Sequence, residues 1–100
     1  MKSYFCKLIA PRPSFIRDMS AEEMALMQAH GAYWKDWMAR GHVISFGMVA
    51  DPVGAFGAGF LEFEDDEAVQ AFTSNDPTIK SGKGFRMEVH PMPMGIVRQA

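Results

Sequence analysis

One hundred residues make one domain, because domains run from roughly 50 to 250 residues and two independent cores do not fit in this length. Hydrophobic residues make up 48% of the chain and charged residues 22%, the balance of a folded chain and not of a disordered one. The net charge of -2 argues against a nucleic-acid partner, whose phosphates demand a basic surplus. Cys6 is the single cysteine, which excludes an internal disulfide and a cysteine-rich metal site. No run of about 18 apolar residues occurs, so neither a transmembrane helix nor a membrane partner is expected. The short apolar stretch near the start is broken by Lys7 and reads as a strand of the mature protein, which leaves the cytoplasm as the expected compartment.

The first predicted element is a strand over Lys2 to Ile9, with Tyr4, Cys6 and Leu8 on one side and Phe5, Lys7 and Ile9 on the other. Pro11 and Pro13 stop it and predict a stiff loop. Ser20 with Glu23 three residues later is a capping box and predicts a helix start. Met24, Met27, Gly31, Trp34 and Met38 then recur at steps of three and four and predict one apolar stripe, and Gly41 predicts the C-terminal cap. Gly31 inside the stripe costs about 1 kcal/mol of helix propensity relative to Ala, which predicts close packing of the helix on a sheet at that point.

His42 to Ala50 reads as a second strand, with Ile44, Phe46 and Met48 on one face and Val43 and Val49 on the other. Asp51, Pro52 and Gly54 predict a turn, and Ala55 to Phe63 a third strand forming an antiparallel hairpin with the second. Asp65 or Asp66 caps a second helix through Phe72, with Ala68, Val69 and Phe72 inward. Asp76-Pro77 opens a further helical turn that Gly82 and Gly84 end. Phe85, Met87 and Val89 alternate with Arg86, Glu88 and His90 in a fourth strand.

The order β-α-β-β-α-β predicts an α+β, ferredoxin-like fold: a four-stranded antiparallel sheet with helices on one face. Two helices cover only one face, while the second and third strands are apolar on both. A second copy covering the open face, a homodimer with two-fold symmetry, is therefore expected.

Three segments carry a resemblance. The first is His30, Trp34, Trp37, Gly41 and Gly47. The second is Asp76-Pro77-Thr78-Ile79-Lys80-Ser81-Gly82, and the third is the glycine-rich strand Gly57-Ala58-Gly59-Phe60-Leu61-Glu62-Phe63. In joint order and spacing they resemble the YCII-related family of dimeric α+β barrel proteins, and the resemblance covers about Tyr4 to Pro93 as one domain within residues 1–100. It implies that His30 and Asp76 form the reactive pair of a pocket, with Trp34, Ser45, Phe46, Gly47 and Pro77 around the substrate. It also implies chemistry such as elimination of hydrogen chloride from chlorinated hydroxyquinols, with lactone isomerases and small monooxygenases as related barrels. Met48 stands where many members carry proline after the glycine, which reshapes the pocket wall. Tyr33, Trp34 and Trp37 are bulkier than the family's usual leucines.

From the residues themselves, two readings stand for each member of the pair. An imidazole titrates near neutrality and moves protons, and a carboxylate beside it fixes its tautomer. Equally, His30 at the edge of the stripe is a half-buried packing residue, and Asp76 is simply the cap of the Pro77 turn. Ser45 is more often a hydrogen-bonding strand residue than a nucleophile. Cys6 reads as a small buried apolar side chain. His30, His42 and His90 share no ligand spacing, so no metal is expected; His42 is expected at the surface and His90 on a polar strand face. Gly54, Gly57 and Gly59 do not match a phosphate loop; Gly57 and Gly59 share one strand face and leave space for Trp34 or a planar ligand.

Two function classes follow. One is a cofactor-independent lyase or isomerase acting on a small cyclic or aromatic metabolite, with His30 as base and Asp76 orienting it. The other is a non-catalytic dimeric module that binds a small ligand or a partner domain. A haem- or quinol-oxidising monooxygenase is a minor third, with no haem-ligand signature beyond an isolated histidine.

Overall fold

A computed structural model describes residues 1–99. Strand β1 (Lys2–Ile9) leads through a short helix α1 (Phe15–Asp18) into the long helix α2 (Ala21–Ala39). Strands β2 (Val43–Val49) and β3 (Phe56–Phe63) follow, then α3 (Asp66–Ser74), α4 (Pro77–Lys80) and β4 (Arg86–Pro91). All pairings are antiparallel, in the spatial order β2-β3-β1-β4. This is the expected ferredoxin-like sheet, with α2 and α3 packed on one face through Trp34, Val69 and Phe72. Among the described residues no helix is long and apolar enough to cross a membrane.

Local chemistry sets the helix ends. The Ser20 hydroxyl accepts from the Glu23 amide at 3.1 Å, and the Glu23 carboxylate accepts from the Ser20 amide at 2.9 Å, completing the capping box. At the far end Gly41 adopts φ +90°, its amide bonds Met38 O, and the His42 amide bonds Trp37 O, which is a Schellman closure. Helix α1 lies where the prolines predicted only a stiff loop. The Arg12 guanidinium clamps Glu23 through two bonds of 2.7 and 2.8 Å and also holds Asp18 at 2.8 Å, tying the loop to the start of α2. Phe15 is thereby buried edge-on against Phe85.

Phe72 is the hub of the core. Tyr33 stacks on it at 5.3 Å, Trp34 and Trp37 meet it edge-on, and Phe63 lies 5.3 Å away. Tyr4 and Cys6 of β1 and Leu61 and Phe63 of β3 face this cluster, while Leu8, on the same side of β1 as the strand alternation predicts, packs with Phe15 and Phe85.

Three expectations are corrected. On α2 the buried positions are His30 and Trp34, with Tyr33 and Trp37 packed beside them, while Met24 is 50% and Met38 38% exposed. The stripe read from Met24 to Met38 is thus rotated by about one residue, because the helix carries apolar side chains around much of its girth and spacing alone does not select one line. On β2 an irregularity between Val43 and Ser45 skips Ile44, so Val43 and Phe46 both point inward although their spacing is odd. Gly31 is not packed against the sheet: a Cβ there would meet nothing within 4 Å.

Gly59 is the opposite case. A Cβ on it would overlap the Trp34 ring, 2.9 Å from Cη2 and closer still to Cζ3. Ala substitution at the two glycines is therefore expected to move stability in opposite directions. Gly31→Ala raises it by about 0.5–1 kcal/mol through helix propensity. Gly59→Ala lowers it by about 1–3 kcal/mol through overpacking. Urea unfolding of both variants checks the pair of signs.

Candidate active site

Asp76 is the pivot of the site. It precedes Pro77, so it sits at the N-cap of α4, and its Oδ1 accepts from the Thr78 amide at 2.9 Å and the Thr78 hydroxyl at 2.7 Å. Its Oδ2 accepts from His30 Nδ1 at 2.7 Å and from Trp34 Nε1 at 2.6 Å, both presented one turn apart on α2. The carboxylate is 0% exposed and His30 8% exposed. Burial pushes the Asp76 carboxyl upward, but the hydrogen bond and charge of His30 and the two Thr78 donors outweigh it and hold the group below its ordinary value. An ionised carboxylate only accepts, so the bond to His30 requires a proton on Nδ1. In the neutral ring Nε2 then carries the lone pair.

The His30 ring lines a cavity of about 330 Å³ between α2, the Phe15 segment and the β2–β3 hairpin. Its walls include Phe15, Trp34, Phe46 and Phe85, with Met27 and Met48 beside them. Gly31, Gly47 and Gly57 contribute bare backbone. Met48 and Ile16 line the cavity yet are 59% and 45% exposed, which marks its mouth. The glycine column of β3 divides its service: Gly59 admits the Trp34 ring and Gly57 lines the cavity. Cys6 lies in the wall at 1% exposure, and burial together with the Asp76 charge pushes its thiol up to about 12, so it stays protonated at neutral pH.

The expected site residues divide cleanly by place. His30, Trp34, Phe46 and Gly47 lie in the cavity wall. Asp76 stands behind His30, out of the lining. Ser45 is exposed, and Pro77 is half-buried at the start of α4; neither reaches the cavity wall. Ser45 faces away because β2 resumes its alternation after Ile44 with Phe46 inward. The two readings of Asp76 hold together, since one oxygen caps the turn while the other holds the imidazole. Thr78 lies outside the expected site residues, although an Asp followed two residues later by Thr is a local capping signal. The indole bond from Trp34 had no sequence signal.

His42 is a correction: it is half-buried, stacked on Phe63 at 4.5 Å with Nδ1 against Glu62 O, because the Schellman turn folds it back onto Trp37. His90 is exposed on the polar strand face. Among the described residues, no group of three or more His, Cys, Asp or Glu side chains is placed to hold a metal ion.

Because the Asp76 carboxyl is held low in the folded state, its stabilisation is present above the unfolded carboxylate value of about 4 and is lost as pH falls through the folded value. Asp76→Asn is expected to lower stability at pH 7 by about 3 kcal/mol and to flatten the loss of stability below pH ~4, measured by urea unfolding across pH. Long-range ¹H–¹⁵N spectra of the neutral His30 ring are expected to show the proton on Nδ1 in the wild type.

The profile of the YCII-related domain matches residues 3–93. No protein of curated function matches the chain by sequence. Among solved structures, the fold is similar to that of 5-chloro-2-hydroxyhydroquinone dehydrochlorinase (TftG) from Burkholderia phenoliruptrix AC1100, determined in complex with 2,5-dihydroxybenzoquinone. The likeness has a TM-score of 0.64 at 21% identity and covers 92% of this chain and 95% of that one. The match over residues 3–93, nearly the whole chain, places it in the YCII-related family.

Proposed function

We propose that this protein is a small cofactor-independent enzyme of the YCII-related type, a lyase or isomerase acting on a cyclic or aromatic metabolite. The observation that carries the reading is the buried Asp76 carboxylate holding the Nδ1–H of His30, which leaves Nε2 as the basic nitrogen of a ring in the cavity wall. A substrate O–H or activated C–H placed against Nε2 gives up its proton to the ring. The electron pair left behind either expels a leaving group such as chloride or takes the proton back at a second carbon. The imidazolium formed is stabilised by the fixed carboxylate 2.7 Å away, which needs no rearrangement. The dehydrochlorinase named for the similar fold supports the elimination branch as a reaction type.

A screen of chlorinated hydroxyquinols for chloride release, and of lactones for isomerisation, tests the reading. His30→Ala is expected to reduce any activity found by about 10²–10⁴-fold, and Asp76→Asn to reduce it less than His30→Ala does. Activity that survives both substitutions undiminished overturns the assignment. Ligand binding without turnover of any compound favours the second reading, a non-catalytic ligand-binding module.

We also propose a homodimer. The outer face of the sheet carries Phe5, Phe56, Phe60 and Val49, of which Phe60 is 43% and Val49 39% exposed. Sedimentation at micromolar concentration is expected to give twice the 11.1 kDa chain mass, and Phe60→Glu to shift it toward the monomer. A wild-type species at the single-chain mass refutes the pairing.

A further inference from the structure

The cavity wall is chemically one-sided. Its ionisable side chains are His30 and the protonated thiol of Cys6, and the remainder is aromatic, aliphatic, thioether or glycine. A carboxylate or phosphate on a ligand would lose its water there with no cation to replace it. A ring with several hydroxyls would satisfy one of them at His30 and bury the others against carbon. A hydrocarbon body with one acidic hydroxyl meets neither penalty.

Size narrows the class further. An apolar cavity of about 150 Å³ is enough to take up benzene. The present one is about 330 Å³, roughly twice that. The extra room has an identifiable origin: Gly31 lines the cavity, and a Cβ on it would meet nothing within 4 Å. In mid-helix a glycine lowers helix stability, and here no close contact compensates for it. The bare turn at Gly31 lies immediately after His30, so space opens beside the base itself.

We infer that the cavity is shaped for an uncharged, fused two-ring aromatic carrying one acidic hydroxyl, a compound of the naphthol class, with Gly31 as the position that admits the second ring. This deepens the proposed function and rests on it in one respect, that the hydroxyl meets His30 Nε2. The flexible thioethers of Met27 and Met48 suit the flat faces of such a ligand, and Met48 lies exposed at the mouth.

Calorimetric titration and tryptophan fluorescence with 2-naphthol, 2-naphthoate, phenol and 1,2,4-trihydroxybenzene test the assignment on the full chain. 2-Naphthol is expected to bind at least about tenfold tighter than each of the other three. Gly31→Phe is expected to weaken 2-naphthol by about tenfold or more while leaving phenol within about threefold. Gly31→Leu provides a second blocking variant, and circular dichroism melts establish that whichever variant is used is folded. Equal binding of 2-naphthol and 2-naphthoate, or undiminished 2-naphthol binding by a folded Gly31 variant, overturns the inference. Turnover of trihydroxylated rings by a protein that does not bind 2-naphthol overturns the ligand class and leaves His30 as base. Tight 2-naphthol binding with no turnover of any compound supports the ligand class and counts against catalysis.

Discussion

A single buried carboxylate organises this molecule. Asp76 has no exposed surface, and a charge in that position is tolerable only when its oxygens are hydrogen-bonded. The chain supplies four donors from two places: Thr78 gives its amide and hydroxyl, and α2 gives an imidazole and an indole. The demand of one charge thus fixes the short α4 turn, the rotation of α2 and the orientation of His30 together. The site is preorganised as a consequence of satisfying a structural need, and the capping and orienting roles of Asp76 are two oxygens of one group.

Trp34 couples this polar knot to the apolar core. Its indole N–H meets Asp76, its six-membered ring lies over the bare backbone of Gly59, and its faces and edges touch Phe72 and Phe46. Any shift of α2 along the sheet would break the hydrogen bond and the ring packing together. The bulk of this residue therefore does two jobs: it fills the space that a glycine on β3 leaves, and it closes the inner end of the cavity beside His30.

The cavity exists because small residues stand where larger ones would fill it. Gly31 lowers the propensity of α2 and opens onto the cavity, where a Cβ would meet nothing within 4 Å, whereas Gly57 of β3 lies close against Leu8. Stability given up at a position such as Gly31 marks a region shaped for something other than packing. The fold itself is shared with a dehydrochlorinase at low identity, and folds host many chemistries. On such a fold the chemistry is set by the residues of the cavity, here those around His30 and Asp76.

Much of the architecture was legible in the chain because it is set within a few residues. The alternation of Tyr4, Cys6 and Leu8, the Ser20–Glu23 box, the Gly41 cap and the Asp76-Pro77 turn are local bargains between side chains and their own backbone, and each formed where it was read. The His30–Asp76 pair entered through resemblance to a family, since periodicity put His30 at the edge of the wrong stripe. What lay beyond the sequence depends on partners far along the chain. The Trp34–Asp76 bond spans 42 positions, Arg12 draws α1 onto Glu23, and β2 skips Ile44 to bring Val43 and Phe46 to one face. Spacing along a helix or strand states which residues are neighbours within that element. Which line of them turns inward is decided only when a second element, with its own shape and charge, is packed against it.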